Sequence, residues 1–308
     1  MSVQAVEARA PAKAATDAVA QPVESIFIAN LRDFRRNRLA VASVAMVGLF
    51  ALMAIFAPYL APHDPYASDL FRRLQPPAWL DGGEWAYPMG CDGLGRDILS
   101  RAIYGARVSM TIGVAVMMVA AMAGMIAGLA AGYLRGWTDI AISRVVDVLL
   151  GFPYLILAIG LMAAMGPGLG NIVLALAIKE WVLPCRVARA ETLAAREMEY
   201  VEAARALGAS RLHIMLREIL PNILSPLIVV CTMRMAWIII MEASLSFLGL
   251  GVQPPVPSWG SMVADGRQFL IGAWWVSTLP GVMILLLVLA INLASQGLRD
   301  AFDPRMRT

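Results

Sequence analysis

The sequence predicts an all-α integral membrane protein of six transmembrane helices with both termini in the cytoplasm. Three observations lead there. Of 308 residues, 59% are hydrophobic and only 15% charged, whereas soluble globular chains run nearer half apolar and a quarter charged. Uncharged apolar stretches of the roughly 20 residues needed to cross a bilayer core recur along the chain. Arginines also fall mostly on one side of the topology those stretches imply. The formal net charge of +3 is too small to point to nucleic acid.

Residues 1–30 are rich in Ala and Pro, carry Arg9, Lys13, Asp17 and Glu24, and hold no long apolar run. They read as a disordered cytoplasmic tail and not as a secretory signal. A region over 31–104 follows, with the first span and a long outer loop. Arg32, Arg35, Arg36 and Arg38 stand directly before 39–62, which has no Asp, Glu, Lys or Arg, and they hold that end of the first span inside. A five-helix core over 105–298 comes next. Its second span is 108–134. The uncharged run 148–178 is broken by Gly166-Pro167-Gly168-Leu169-Gly170, so two spans share it, the latter continuing to about Ala190. Residues 224–248 make the fifth span and 275–294 the sixth, with a Gly/Pro-rich, non-helical run over 249–260 between them. Residues 299–308 are a cytoplasmic tail.

The charges agree with this order. Inner segments hold Arg135, Arg144, Arg186, Arg189, Arg196, Arg205, Arg211, Arg217, Arg299, Arg305 and Arg307. Outer ones hold Arg72, Arg73, Arg96, Arg101, Arg107 and Arg267. In the second span Gly124, Gly128 and Gly132 are four residues apart, a spacing that lets helix backbones approach closely and predicts a tight helix pair.

The connection between spans four and five, 191–221, is charged and helical in character. Met198, Val201, Ala204 and Leu207 recur at helical spacing; Gly208 interrupts; Leu212, Met215, Leu216 and Ile219 form a second stripe before Pro221. Two short amphipathic helices joined at a glycine are expected on the cytoplasmic face. Two readings stand: the pair covers the base of the bundle or lies in the headgroup layer, or it docks into a groove of a soluble partner.

Several chemistries are excluded. Cys91, Cys185 and Cys231 have no paired spacing, and two histidines, His63 and His213, make neither a multi-histidine metal site nor a triad. No phosphate-binding Gly-x-x-x-x-Gly-Lys-Ser/Thr loop occurs.

Glu202-Ala203-Ala204, then Gly208, then Leu220-Pro221 resemble the EAA motif of permease subunits of bacterial ABC importers, with Glu218 where the general pattern has Ile. Glu242-Ala243-Ser244-Leu245-Ser246-Phe247-Leu248-Gly249-Leu250-Gly251 with Pro257-Ser258-Trp259-Gly260 is similar to the signature of the dipeptide/oligopeptide/nickel subgroup. So are Gly93-Leu94-Gly95-Arg96-Asp97, Tyr104-Gly105-Ala106-Arg107-Val108-Ser109 and the ending Gly297-Leu298-Arg299-Asp300, Asp303-Pro304-Arg305. Two positions depart from that pattern, Cys91 within Gly90-Cys91-Asp92 and the pair Ser295-Gln296. The resemblance runs from about Asn30 to the C-terminus and is to the shorter, C-type permease of the subgroup.

What this resemblance implies is an importer of five parts: this subunit, a second homologous permease completing a heterodimeric pore, two ATPase subunits that bind the ATP and Mg, and a periplasmic or extracellular solute-binding protein. The chain itself is expected to hold no cofactor or metal, to hydrolyse nothing, and to sit in the bacterial inner (plasma) membrane. ATPase coupling falls, by the same implication, on Glu202, Ala203, Ala204, Arg205, Leu207, Gly208, Leu220 and Pro221. Di- or oligopeptides are the implied cargo, with nickel chelates or glutathione-like solutes as alternatives. An ion-coupled secondary transporter, or a scaffold without transport, are readings of a different class.

Charges inside spans are costly and face a bundle interior or water. Arg234 and Glu242, eight residues apart on one helix face, are candidates for a pore or gate, although each also suits a structural role, Arg234 as one half of a pair with another helix or with the partner permease. Lys179 and Glu180 are adjacent and point about 100° apart, so one is expected to meet a partner while Lys179 snorkels. Over 63–97, Asp64, Asp69, Asp81, Glu84, Asp92 and Asp97 lie among Trp79, Trp85 and Tyr87. That is either a docking surface or an interfacial aromatic belt.

Overall fold

The computed structural model describes residues 37–302. The tail expected over 1–30, the arginines at 32, 35 and 36, and the end from Asp303 lie outside them. Within the described residues the fold is helical, with a single isolated bridge between Cys91 and Asp97.

Helix α1 (Arg38–Ile55) starts at Asn37, whose side chain accepts from the amides of Leu39 and Ala40, satisfying two donors that an open helix start leaves free. It stops short of the expected residue 62: the chain turns at Phe56, and a single helical turn, Ala57–Leu60, follows. The loop after it is tied down by its own acids. Asp69 caps a 3₁₀ turn, Leu70–Arg72. Buried Asp92 accepts from the amides of Leu94 and Arg96 and pairs with the Arg96 guanidinium at 2.7 Å. Asp97 caps the next helix and takes the Ser100 hydroxyl at 2.5 Å.

That helix, α2 (Ile98–Leu134), has 37 residues and is about 55 Å long at 1.5 Å per residue. It runs against α6 (Val182–Ala195). A Cβ on Gly124 would lie 2.5 Å from the Trp181 carbonyl oxygen, one on Gly128 2.4 Å from that of Cys185, and one on Gly132 2.7 Å from the Thr192 Cβ. The small-residue spacing is therefore a tight helix pair.

The third span departs from expectation. In place of one helix from about residue 148, α3 (Gly136–Gly151) and α4 (Tyr154–Met165) meet at a 94° bend. Pro153 has no N–H to continue the ladder and drives Phe152 out of helical space, to φ −88° and ψ 133°. The glycine turn lies where expected, between α4 and α5 (Leu169–Glu180), and α5 meets α6 at Trp181.

After α7 (Glu199–Ala206) the second amphipathic stretch is not a separate helix. It begins at Arg211–His213, widens into a π turn over Ile214–Ile219 and continues as α8 (Leu220–Phe247). Pro221 lies in the first turn after the π register, where its missing N–H removes little. Helices α9 (Trp259–Gly266) and α10 (Trp275–Phe302) complete the described chain. Among the described residues four helices are long and apolar enough to cross a membrane, and the bent α3–α4 pair makes a fifth candidate.

Three apolar clusters stack along α2. At its start α1, α2, α8, α9 and α10 enclose Trp259, whose indole N–H donates to the Ala102 carbonyl at 2.8 Å. In the middle α2, α4, α5 and α8 meet around Ile112, Leu176 and Ile238. At its far end Leu129 and Tyr133 meet α6, α7 and the start of α8.

Candidate functional site

The elbow between α6 and α8 lies at the far end of α2. Helix α7 closes with the two bonds of a Schellman motif: Ala209 N–H to the Ala204 carbonyl and Gly208 N–H to that of Arg205, both 3.1 Å. Gly208 takes φ +82°, a left-handed conformation that side chains resist. Ser210 then accepts from the His213 amide and restarts the helix.

The stripe divides between the two readings offered by the sequence. Val201, Ile214 and Ile219 are fully buried against Leu129, Tyr133, Ala188 and Ala195, so one side of the elbow covers the base of the bundle. The other side is bare: Leu207 is 88% exposed and Leu212 65%, with Met198 and Leu216 also out. Glu202, Ala203, Arg205 and Pro221 are exposed, and Ala204 and Leu220 are half-buried. Two contacts fix the base of the elbow to α2: Arg135 pairs with Glu197 at 2.6 Å, and Arg196 donates to the Tyr133 carbonyl at 2.8 Å. The elbow thus has one face packed against α2, α6 and α8 and an opposite, apolar face left bare.

Halfway along the bundle lies a second constellation. Arg234 grips Glu180 with both forks, Nε to Oε1 and Nη2 to Oε2, the latter at 3.0 Å. Glu180 has no exposed side-chain surface, while Arg234 keeps 30%. The structural alternative for Arg234, a pair with another helix, is thus present. Lys179, expected to snorkel, donates instead to the Phe152 carbonyl freed by the α3–α4 break. Tyr154 donates to the Leu176 carbonyl at 2.9 Å and sets its ring edge-on to Trp237, over which the Arg234 guanidinium lies at 5.5 Å.

Removing one member of a buried pair leaves an uncompensated charge, at about 3–5 kcal/mol. Arg234→Met alone is expected to lower the yield of folded protein sharply, and adding Glu180→Met to recover most of it. Yield by size-exclusion chromatography in detergent checks this; equal yields from the single and double variants count against a pair.

Glu242 is elsewhere. It is buried on α8, accepting from Ser109 of α2 at 2.9 Å and from Ser246 at 2.8 Å, one layer below Trp259. The two charged residues on α8 therefore serve different joints: Arg234 joins α8 to α5, and Glu242 joins α8 to α2. In the loop between α1 and α2 Glu84 is bound by Arg72 at 2.7 Å, and this hydrogen bond holds its carboxyl below the usual range. Trp79, Trp85 and Asp81 remain exposed.

Sequence reasoning missed the Arg234–Glu180 pair, since 54 residues separate its members. It also missed the break between α3 and α4, although the Phe152-Pro153 dipeptide carried the signal. Among the described residues no group of three or more metal-ligating side chains comes together.

The bent α3–α4 pair, the tightly packed glycine-bearing α2–α6 pair and an elbow whose sequence resembles the EAA pattern are in keeping with the type I permease fold of ABC importers. Residues 120–308 match the family model for the binding-protein-dependent transport system inner membrane component. Residues 28–77 match that for the N-terminal TM domain of oligopeptide transport permease C. The chain is 42% identical to the di/tripeptide transport system permease protein DppC of Pseudomonas aeruginosa, over 90% of this chain and 91% of that one. It is 44% identical to the dipeptide transport system permease protein DppC of Escherichia coli, over 89% and 91%. Among solved structures, an inward-facing conformation of the MetNI methionine ABC transporter aligns with a TM-score of 0.53 at 20% identity, over 67% of this chain and 98% of that one. The chain belongs to the family of binding-protein-dependent transport system inner membrane components.

Proposed function

We propose that this chain is one of two permease subunits of an ATP-driven importer of di- or oligopeptides. What carries the peptide reading is the 41–44% identity, over about nine-tenths of the chain, to relatives named as dipeptide or di/tripeptide permeases. Six crossings (α1, α2, α3–α4, α5–α6, α8 and α10) return the chain to its starting side. With the arginine-rich start inside, both termini and the elbow are cytoplasmic. A second homologous permease completes the pore, and a solute-binding protein delivers cargo to the outer face, where Trp79, Asp81 and Trp85 stand free.

The elbow receives the ATPase pair. Its exposed leucines supply burial, and Glu202 and Arg205 fix register in a groove. ATP and Mg belong to those ATPase subunits, since this sequence has no phosphate loop. Arg234 and Glu242 lie at the two joints of α8 that tilting of the bundle would work, which suits a pore or gate.

Purification of the chain with its neighbouring gene products, followed by reconstitution into vesicles, tests this. ATP-dependent accumulation of a labelled dipeptide, requiring the binding protein, is expected. Uptake that persists without ATP and collapses with the proton gradient would instead mark an ion-coupled carrier.

A further inference from the structure

At the middle of the bundle three features meet that no part of the elbow requires. The backbone at Phe152 and Pro153 is non-helical, and Gly151, Phe152 and Pro153 are exposed on the surface of the subunit. Irregular backbone at membrane depth does not face lipid; it lies against protein or lines a water-filled cavity. Beside it stand two cations and one anion, Lys179, Arg234 and Glu180, a local net charge of +1. Glu180 occupies the Nε and Nη2 edge of Arg234. Among the described residues Nη1 meets no acceptor, and it is not sealed in the interior. Trp237, 39% exposed, lies one turn along α8 beneath the guanidinium.

We infer that Arg234 forms a membrane-depth subsite for a carboxylate, the C-terminus of a peptide passing through the pore. The inference rests on the peptide-permease reading and adds to it a residue that discriminates among cargoes. Guanidinium offers five donors in a fixed fork. Glu180 takes one edge and holds the plane, so the group is pre-oriented and pays little to bind a second carboxylate on the free edge. The excess positive charge from Lys179 favours an anion there. Lys179 itself is held on the Phe152 carbonyl, where it stabilises the break that opens the backbone. Trp237 supplies an apolar floor for the chain of the peptide beside its terminus. Glu180 acts as a positioning residue and touches no cargo.

The test uses the complete reconstituted importer and two dialanine cargoes, the free acid and the C-terminal amide, each at a concentration that saturates the binding protein. Dialanine has no side-chain carboxylate, so any discrimination reports the terminus. The variant is Arg234→Gln with Glu180→Gln, which removes both charges and leaves no orphan; its assembly is checked by ATPase stimulation on addition of loaded binding protein. The ratio of acid to amide uptake is expected to fall roughly tenfold against the unmodified importer, the effect of losing one charge-assisted hydrogen bond. Arg234→Lys, which keeps the charge but loses the fork, should show a smaller fall. A ratio unchanged within twofold in the double variant overturns the subsite while leaving the peptide reading intact. Failure of the unmodified importer to take up either cargo removes that reading and this one with it.

Discussion

Gly208→Val is expected to lower uptake about tenfold or more while leaving the protein folded and inserted. The residue has φ +82°, and an L-side chain in that region costs about 1–2 kcal/mol, more when β-branched. Nothing in this chain lies within 4 Å of an added Cβ, so the penalty is conformational and not a clash. Relief comes only by opening the Schellman turn, which swings α7 away from Val201's socket beneath α2. Each 1.4 kcal/mol shifts the population of the docked elbow about tenfold. Association with the ATPase subunits and uptake should both fall by at least about that factor. Melting temperature of the isolated permease should move little, since the apolar clusters above the elbow are untouched. Normal uptake by Gly208→Val would remove the elbow from the coupling path.

Gly128→Leu should do the opposite: destroy the fold without bearing on coupling chemistry. A Cβ here would lie 2.4 Å from the Cys185 carbonyl oxygen and 2.6 Å from the Ala188 Cβ. These atoms belong to α6, a helix backbone with no flexible tip to move aside. Overpacking a core costs about 1–3 kcal/mol when neighbours can yield, and van der Waals contact is what holds helices together in lipid. Separation of α2 from α6 also pulls Thr192, Ala195 and the Arg196–Tyr133 bond away from the elbow end. The expected result is loss of most monodisperse protein after detergent extraction, with Gly128→Ala intermediate. Equal recovery of Gly128→Leu and the unmodified protein contradicts the packing described.

Much of this was legible in the residues because membrane physics writes in long runs. Uncharged stretches mark the helices, and the four-residue glycine spacing on α2 names the face that meets α6. Gly208 is legible because left-handed backbone at a helix end nearly demands that residue. The elbow's division into a buried and a bare side was not, since periodicity reports a stripe and not what covers it: Val201 and Leu207 score alike in sequence, yet one is buried and the other 88% exposed. The Arg234–Glu180 pair was hidden for another reason. Each residue looks like an isolated cost in its own span, and only the tertiary fold brings the two costs together to offset each other. Glu242 is legible only as a costly charge in a span. Its serine partners on two helices follow from packing that no local pattern encodes.

The central claim is that this bundle presents its elbow to an ATPase on the cytoplasmic side. Leu207→Cys in a Cys231→Ser background tests it most directly, because Cys91 and Cys185 are buried and, of the native cysteines, only Cys231 is partly accessible. A membrane-impermeant maleimide should leave it unlabelled in intact cells, label it in inverted vesicles stripped of the ATPase subunits, and fail again once those subunits are restored. Labelling from outside intact cells, or labelling indifferent to the ATPase, contradicts the account.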